Sequence, residues 1–565
     1  MVYDQTIQQF HDFFSVDPNA CVTLGLNKRL NDLPDPSAAA ERSQLAEGRL
    51  LLENLRHCPR QGLDFDQSLD IDLAIQAVEY ALFKLTCRFN DHTTAEQMPD
   101  AGDGISDGIF LLFANDPRPA AERLDNITAR LEKAPDYLDA VLSRLETPVA
   151  RWVDMDLEKT AELPAFFDSL RQWAAAEDYH GRQRLDAAAA DAIRALDRYR
   201  RQLQMLPATR EFAIGQVQAA ELVRLRGIDL PLGELKTMAT DFLAVNRDEV
   251  EELRQRLLAK YRLPADWEAL RLQSFLNERY RVDPLDRDYS GILNRYQAER
   301  ESIAAFIREH DLFPLPSGQE MKIIRTPGFM VPSIPAGAMM SPPPFREGIK
   351  QSMIYLTLSQ ELLDEHTELS IPVMLIHEGI PGHHLQLAAA AGHRSVVRRH
   401  LDAMDQAEGW TTMLEDYMLD RGYMGDLTDE ARFIAKRDIA RLGARVAIDL
   451  YFMTGDAGYL DVGVPVGEPG GDAFANAAAL LSAVTGFTAE RLQGELNWYS
   501  QSRGYPLSYL AGNRLVWQLK RDVEAAQRGK LSGLALDRAF HRAYLAAGGM
   551  PLTFLRKVFA HQGLL

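Results

Sequence analysis

Over the first 310 or so residues, apolar side chains recur every three or four positions with polar residues between them. That period predicts helix after helix. Leu185 to Leu196 is rich in strong helix formers, and Glu249 to Tyr261 shows apolar positions at helical spacing. The pattern changes between Phe313 and Leu358. There Pro314, Pro316, Pro327, Pro332, Pro335 and Pro342 to Pro344 exclude long helices, while Met321–Arg325 and Met353–Leu358 read as strands. A small sheet is one reading of this stretch and a proline-rich interdomain linker the other. Ser370 suits an N-cap with Pro372 in the first turn, which predicts a helix running through Leu375 and Ile376 into His377. Gly463 to Gly471 has neither nucleotide-binding glycine order and reads as a loop, after which helices resume from Ala473 to the end. No repeat of fixed period is evident. The expected fold is mainly α with a small β-sheet. A helical region over residues 1–315 would pack on a region over 316–565, the latter carrying the β element at 316–360 and a cleft lying between the two.

The chemistry concentrates in His377-Glu378-Gly379-Ile380-Pro381-Gly382-His383-His384-Leu385-Gln386. In the H-E-x-x-H pattern of zinc peptidases, imidazoles at i and i+4 lie about 40° apart around the helix and about 6 Å along it, so both can bind one ion. The glutamate after the first histidine then stands beside the open coordination position, where it can take a proton from the attacking water. Here position i+4 is Pro381, and the next imidazoles come at i+6 and i+7. Proline lacks the amide hydrogen and clashes with the carbonyl four residues back, so a bulge or kink is expected. If two residues loop out, His383 becomes the second ligand. On an undistorted helix His384 instead faces His377, about 10.5 Å along the axis. Catalytic zinc usually keeps three protein ligands. Glu408, heading a run with apolar residues at Trp410, Met413, Leu414 and Tyr417, is the candidate third, and Glu415, two turns on, could orient a ligand imidazole.

These residues carry a resemblance. His377 to Gln386 resembles the HE-x-x-PGHH-L-Q signature of the bacterial family known as domain of unknown function 885, in the zincin-like metallopeptidase clan. Glu408 to Glu415 resembles that family's E-G-W-A-L-Y-A-E, itself similar to the N-E-G-F-A segment in which gluzincin aminopeptidases place a glutamate ligand. Gly504 to Gly512 is set against P-G-Q-A-L-S-Y-x-x-G: Leu507, Ser508, Tyr509 and Gly512 agree, but Arg503, Tyr505 and Pro506 replace the proline, glutamine and alanine. The family's Asp-x-Gly-x-His element survives only as Asp449, followed by Leu450 to Met453. The firm part of the resemblance covers roughly the last 250 residues. It implies a zincin-like fold holding one zinc ion on His377, His383 and Glu408, with Glu378 as base and Tyr509 as donor to the oxyanion of a peptide or other amide. A metal-binding scaffold without activity and a metal-dependent hydrolase of a small metabolite are the rival readings.

Composition narrows the partners. The chain has 565 residues, 46% hydrophobic and 25% charged, which suits large buried cores. A formal charge of −19 argues against a nucleic-acid surface. Cys21, Cys58 and Cys87 lack metal-type spacing and read as buried thiols. No run approaches the ~18 apolar residues of a membrane span, and the first residues lack a signal-peptide pattern, so a cytoplasmic location is expected. Asp64, Asp66, Asp70 and Asp72, and likewise Asp100, Asp103 and Asp107, lack calcium-loop order and suit caps and solvated turns. His366, His393 and His400 suit surface positions, and Arg503 and Arg514 suit solvated positions, with a substrate carboxylate as their alternative partner.

Overall fold

Helix takes up 67% of the chain, which makes the fold mainly α. The computed structural model describes residues 2–565 apart from 332, 333, 335, 336, 468 and 469, so Pro332, Pro335 and part of the Gly463 to Gly471 stretch lie outside the described residues. The proline-rich region does form a sheet. Its strands lie in the order Gln319–Arg325, Lys350–Leu356, Gly337–Met340. The central strand runs parallel to the first, with Gln319 opposite Lys350, and antiparallel to the last, with Gly337 opposite Leu356. The expected second strand thus begins three residues earlier than Met353, and the strand Gly337–Met340 was not foreseen.

Period-two alternation lets this sheet serve two cores. Met321, Ile323, Ile354 and Leu356 join a core built from helices spread along the chain, including Tyr3–Phe14, Ser290–His310 and Met404–Asp420. Tyr355 joins a second core, made by helices Ala101–Ala114, Ala120–Arg144, Ala150–Ala176 and Arg182–Leu203. A third core packs Gly215–Leu225 and Leu232–Tyr261 against Arg441–Thr454 and Ala489–Gln501. N-terminal helices therefore supply apolar faces to every layer around the His-rich motif.

The expected helix into His377 spans Ser370–Glu378, but its cap differs from expectation. Thr367 Oγ1 accepts from the backbone of Leu369 and Ser370, while Ser370 Oγ accepts from Thr367 N at 3.0 Å. Threonine satisfies the free amides of the first turn, and Ser370 is already helical. The three cysteines are free and buried. Other local expectations need correcting. His366 is buried, with Nδ1 3.0 Å from the Tyr296 hydroxyl, and His400 lies 2.8 Å from His11 Nδ1 among Phe10, Phe14 and Phe345. Half-buried His393 accepts from Ser395 N. Asp64 does cap Phe65–Thr86, but Asp70 is buried on the equally buried Arg398, where each charge offsets the other's loss of water.

Candidate metal centre

The helix Ser370–Glu378 stops one residue after His377, and a new helix, His383–Ala391, begins at the second imidazole. Between them the Ile380–Pro381 peptide is cis. Two glycines allow the chain to double back over the turn it has just left. A Cβ on Gly382 would lie 1.9 Å from the His377 carbonyl oxygen and 2.3 Å from that of Ile376, and one on Gly379 would lie 2.6 Å from Leu375 O. The buried Trp410 Nε1 donates to Pro381 O at 2.9 Å, so a carbonyl released by the break keeps a partner. The expected kink is thus a full interruption that lets His377 and His383 face one point, with ring centres 5.0 Å apart.

Glu408 approaches that point from Met404–Asp420, a helix whose first half is wholly buried. Its Oε2 lies 3.5 Å from His377 Nε2 and 3.4 Å from His383 Nε2, and one ligand atom from each of the three residues lies within 4.8 Å of the others. Among the described residues this is the one such cluster. The separations are too long for good hydrogen bonds, and Glu408 Oε2 is buried without a partner. The two distances to Glu408 do match the edge of a tetrahedron whose centre is about 2.1 Å from each corner, roughly 3.4 Å, which is the spacing zinc imposes on nitrogen and oxygen ligands. His377 Nδ1 donates to Glu415 Oε1 at 2.7 Å, which turns Nε2 toward Glu408. Burial works against charge on His377, but the nearby carboxylates of Glu408, Glu415 and Glu378 hold its pKa well above the ordinary value. Burial likewise disfavours charge on Glu408, yet His383 and His377 hold its pKa well below the carboxylate range. The carboxylates around His377 thus favour positive charge at this point, which a proton or a metal cation can supply.

His384, the alternative second ligand, points elsewhere. Its Nδ1 lies 2.7 Å from Ser352 Oγ and its Nε2 contacts Gln319, so it ties the second helix to the sheet. Half-buried Glu378, the last residue of its helix, makes no hydrogen bond or ion pair among the described residues.

Residues 18–558 match the family described as a bacterial protein of unknown function (DUF885). The chain belongs to this family. No curated protein matches it. Among solved structures, a putative lipoprotein of unknown function from Shewanella oneidensis has 18% identity and a TM-score of 0.76, and one from Colwellia psychrerythraea has 13% and 0.78. Each comparison covers 99% of both chains, so the fold is shared along its whole length.

In this DUF885 chain the weaker third motif becomes a support for Tyr509. Asp449, all that remains of the Asp-x-Gly-x-His element, is fully buried and accepts from Gly504 N and Leu507 N, each at 3.0 Å. One turn earlier on the same helix face, Arg445 lies 4.5 Å from the centre of the Tyr509 ring, fixed by Tyr499 at 2.8 Å and Glu495 at 2.9 Å. Burial and the field of Glu408 raise the Tyr509 pKa, so its hydroxyl stays a donor. Tyr505, where the family pattern has glutamine, brings its hydroxyl to 3.2 Å from that of Tyr509. Arg445, Glu495 and Tyr499 carried no motif and were not foreseen. Arg503 is not solvated: it stacks on Phe89 and Trp152 and donates to Phe212 O, while Arg514 lies over Phe242.

A cavity of about 1360 Å³ opens between the N-terminal helices and the Tyr505 loop. The three ligand residues do not line it. Its lining includes Asp402, Met404 and Tyr505, and through the Tyr505 hydroxyl it adjoins Tyr509. Among the described residues no helix is long and apolar enough to cross a membrane.

Proposed function

We propose that this protein is a zinc-dependent hydrolase of the zincin-like clan that cleaves peptide bonds. The observation that carries the reading is the trio His377, His383 and Glu408, spaced as zinc requires around a buried carboxylate oxygen that has no hydrogen-bond partner. Zinc, when bound there, supplies Lewis acidity toward a carbonyl oxygen and acidifies water.

The chain's own residues supply the rest. Glu415 keeps the Nδ1 proton of His377 and leaves Nε2 free for the metal. Glu378 follows His377 directly and has no competing partner, so its carboxylate is available to take the proton of the attacking water and return it to the leaving amine. The Tyr509 hydroxyl, kept protonated by burial, donates to the oxygen on which negative charge develops. Clamped by Arg445 from beneath and by the Asp449-held loop before it, that donor needs little reorganisation at the moment of reaction. The cavity exceeds the common range for small-ligand sites of about 300–1,000 Å³, which suits a peptide segment.

The test is metal content of the purified chain by inductively coupled plasma mass spectrometry, followed by digestion of a peptide library. Near-stoichiometric zinc is expected in the unaltered chain and in Glu378→Gln, with loss in His377→Ala, and cleavage products only from the unaltered chain. Absence of zinc after reconstitution sinks the reading and favours a scaffold; zinc without peptide cleavage favours a small-metabolite hydrolase.

A further inference from the structure

Arg226 and Lys84 line the cavity beside Tyr505 without an ion pair. Arg226 follows helix Gly215–Leu225, and its stem crosses Gly504, where a Cβ would lie 2.9 Å from Arg226 Cδ. Gly504 adopts φ +75°, so glycine is favoured there both by backbone conformation and by the passage of this side chain. The guanidinium lies between two tyrosine rings, 5.9 Å from the centre of Tyr80 and 5.7 Å from that of Tyr505. One nitrogen donates to the Tyr80 hydroxyl at 3.0 Å, and Nε is buried without an acceptor. Lys84, one turn after Tyr80, places Nζ 4.7 Å from the same ring. The charge of Asp402, which shares the lining, acts on both cations, and Asp405 and Asp449 act on Arg226, but none of them forms an ion pair with either among the described residues. The outer cations are already engaged: Lys133 with Asp32, Arg144 with Glu41, and Arg29 with the Val16 carbonyl.

Arg226 is half-buried and keeps a buried Nε without an acceptor, so it can take a further hydrogen-bond acceptor, and exposed Lys84 adds a second positive charge beside it. A guanidinium fork with free N–H groups matches a carboxylate in two parallel hydrogen bonds. We propose that Arg226, backed by Lys84, is a carboxylate-binding subsite, and that the substrates are short peptides carrying a carboxylate close to the cleaved bond. This deepens the peptidase reading and rests on it for the word substrate. The Tyr505 ring lies beside Arg226 while its hydroxyl meets that of Tyr509, so one aromatic side chain touches both the subsite and the proposed oxyanion donor.

The test is calorimetric titration of the full-length chain carrying Glu378→Gln, which prevents turnover, with Ala-Ala-Ala, its C-terminal amide, and Ala-Ala-Glu amide. The free acid should bind about ten-fold tighter than its amide, a charge-assisted hydrogen-bonded pair being worth at least that factor. Adding Arg226→Gln should abolish the preference. Adding Arg226→Lys, which keeps a charged stem over Gly504 and stands in if the glutamine variant unfolds early, should reduce it. Adding Arg224→Gln, the same charge change at a half-exposed outer position, should preserve it. Tighter binding of Ala-Ala-Ala than of Ala-Ala-Glu amide identifies the chain terminus as the recognised carboxylate, and the reverse order a side chain. Equal binding of acid and amide, no binding of any probe, or a preference that survives Arg226→Gln overturns the subsite. An Arg226-dependent preference in a chain whose unaltered form cleaves no peptide refutes the hydrolase and leaves the subsite standing.

Discussion

Glu408 and Tyr509 reach the centre from two helices, Met404–Asp420 and Ser508–Ala526, that cross where two glycines meet. A Cβ on Gly409 would lie 2.5 Å from Gly512 C, 2.6 Å from its O and 2.9 Å from its Cα, and a Cβ on Gly512 would lie 2.2 Å from Asp405 O. Every one of these is a backbone atom, so no rotamer relieves the overlap. Gly409→Ala must therefore separate the helices by about 0.9 Å to restore ordinary contact, about 3.4 Å. Overpacking of this kind costs about 1–3 kcal/mol, and the better helix propensity of alanine returns about 1 kcal/mol, leaving about 1 kcal/mol. With an unfolding entropy of about 2.1 cal/mol/K per residue, that lowers the melting temperature of so long a chain by only about 1 °C. The centre is far less tolerant. Glu408 is the residue before Gly409, and metal–ligand distances tolerate about 0.2 Å. Zinc affinity should fall at least ~10-fold, measured by competition against a chelator of known affinity, while the melt barely moves. Gly494→Ala, at an exposed helical glycine with nothing within 4 Å, should raise stability by up to ~1 kcal/mol and leave zinc affinity alone. A Gly409→Ala chain with unaltered zinc affinity would refute the argument that this crossing sets the ligand geometry.

Three further outcomes follow from the same contacts. Glu415→Gln removes the anionic acceptor of the His377 Nδ1 proton and should weaken zinc binding ~10–100-fold in the same chelator competition, without abolishing it. Asp449→Asn offers one acceptor to two backbone donors and should cost ~1–3 kcal/mol, lowering the melting temperature and peptide turnover while zinc content stays at the wild-type level. Buried His541 has its pKa lowered to about 4 by desolvation, with Nδ1 2.8 Å from Leu312 O. The unfolded chain thus binds its proton near pH 6.5, and stability from neutral His541 is lost as pH falls from there toward 4, by up to ~1.4 kcal/mol per unit. The destabilisation by His541→Asn, read from denaturant melts, should shrink between pH 6.5 and 4.5, and a constant difference would contradict the buried neutral imidazole.

What the sequence discloses is local. His377, His383, Glu408 and Glu415 were readable because ligand chemistry restricts residue type and spacing, and the proline-rich break could be placed because Pro381 cannot continue a helix through His377. The choice of His383 over His384 was not decidable from spacing; it rests on how Gly379 and Gly382 let the chain fold back and on the contacts of His384 with Gln319 and Ser352. Arg226, Arg445 and Tyr80 were invisible for a different reason. Each acts across more than 50 residues of sequence, on Gly504, Tyr509 or one another, and a lone arginine or tyrosine on a helix has no local mark of such a role. Arg503 misled in the opposite direction, since an arginine in a polar loop reads as solvated until Phe89 and Trp152 close over it.

The supports of the centre differ in kind from the centre itself. His377, His383 and Glu408 leave a buried carboxylate oxygen without a donor, an arrangement that costs free energy unless a cation occupies it. Around them the pattern reverses: Glu415 is met by His377, Asp449 by two backbone amides, Arg445 by Glu495 and Tyr499, and Pro381 O by Trp410. Not every neighbour is met, since His383 Nδ1 and Gln386 Oε1 are also buried without a partner, but Glu408 Oε2 is such an atom faced by two imidazole nitrogens. The same contrast separates Arg226 from Arg144 along one cavity wall, the first without an ion pair and the second paired with Glu41. Glu408 and Arg226 thus each keep a buried polar atom that the fold has not satisfied, and such exceptions in a folded protein ask for a partner from outside the chain.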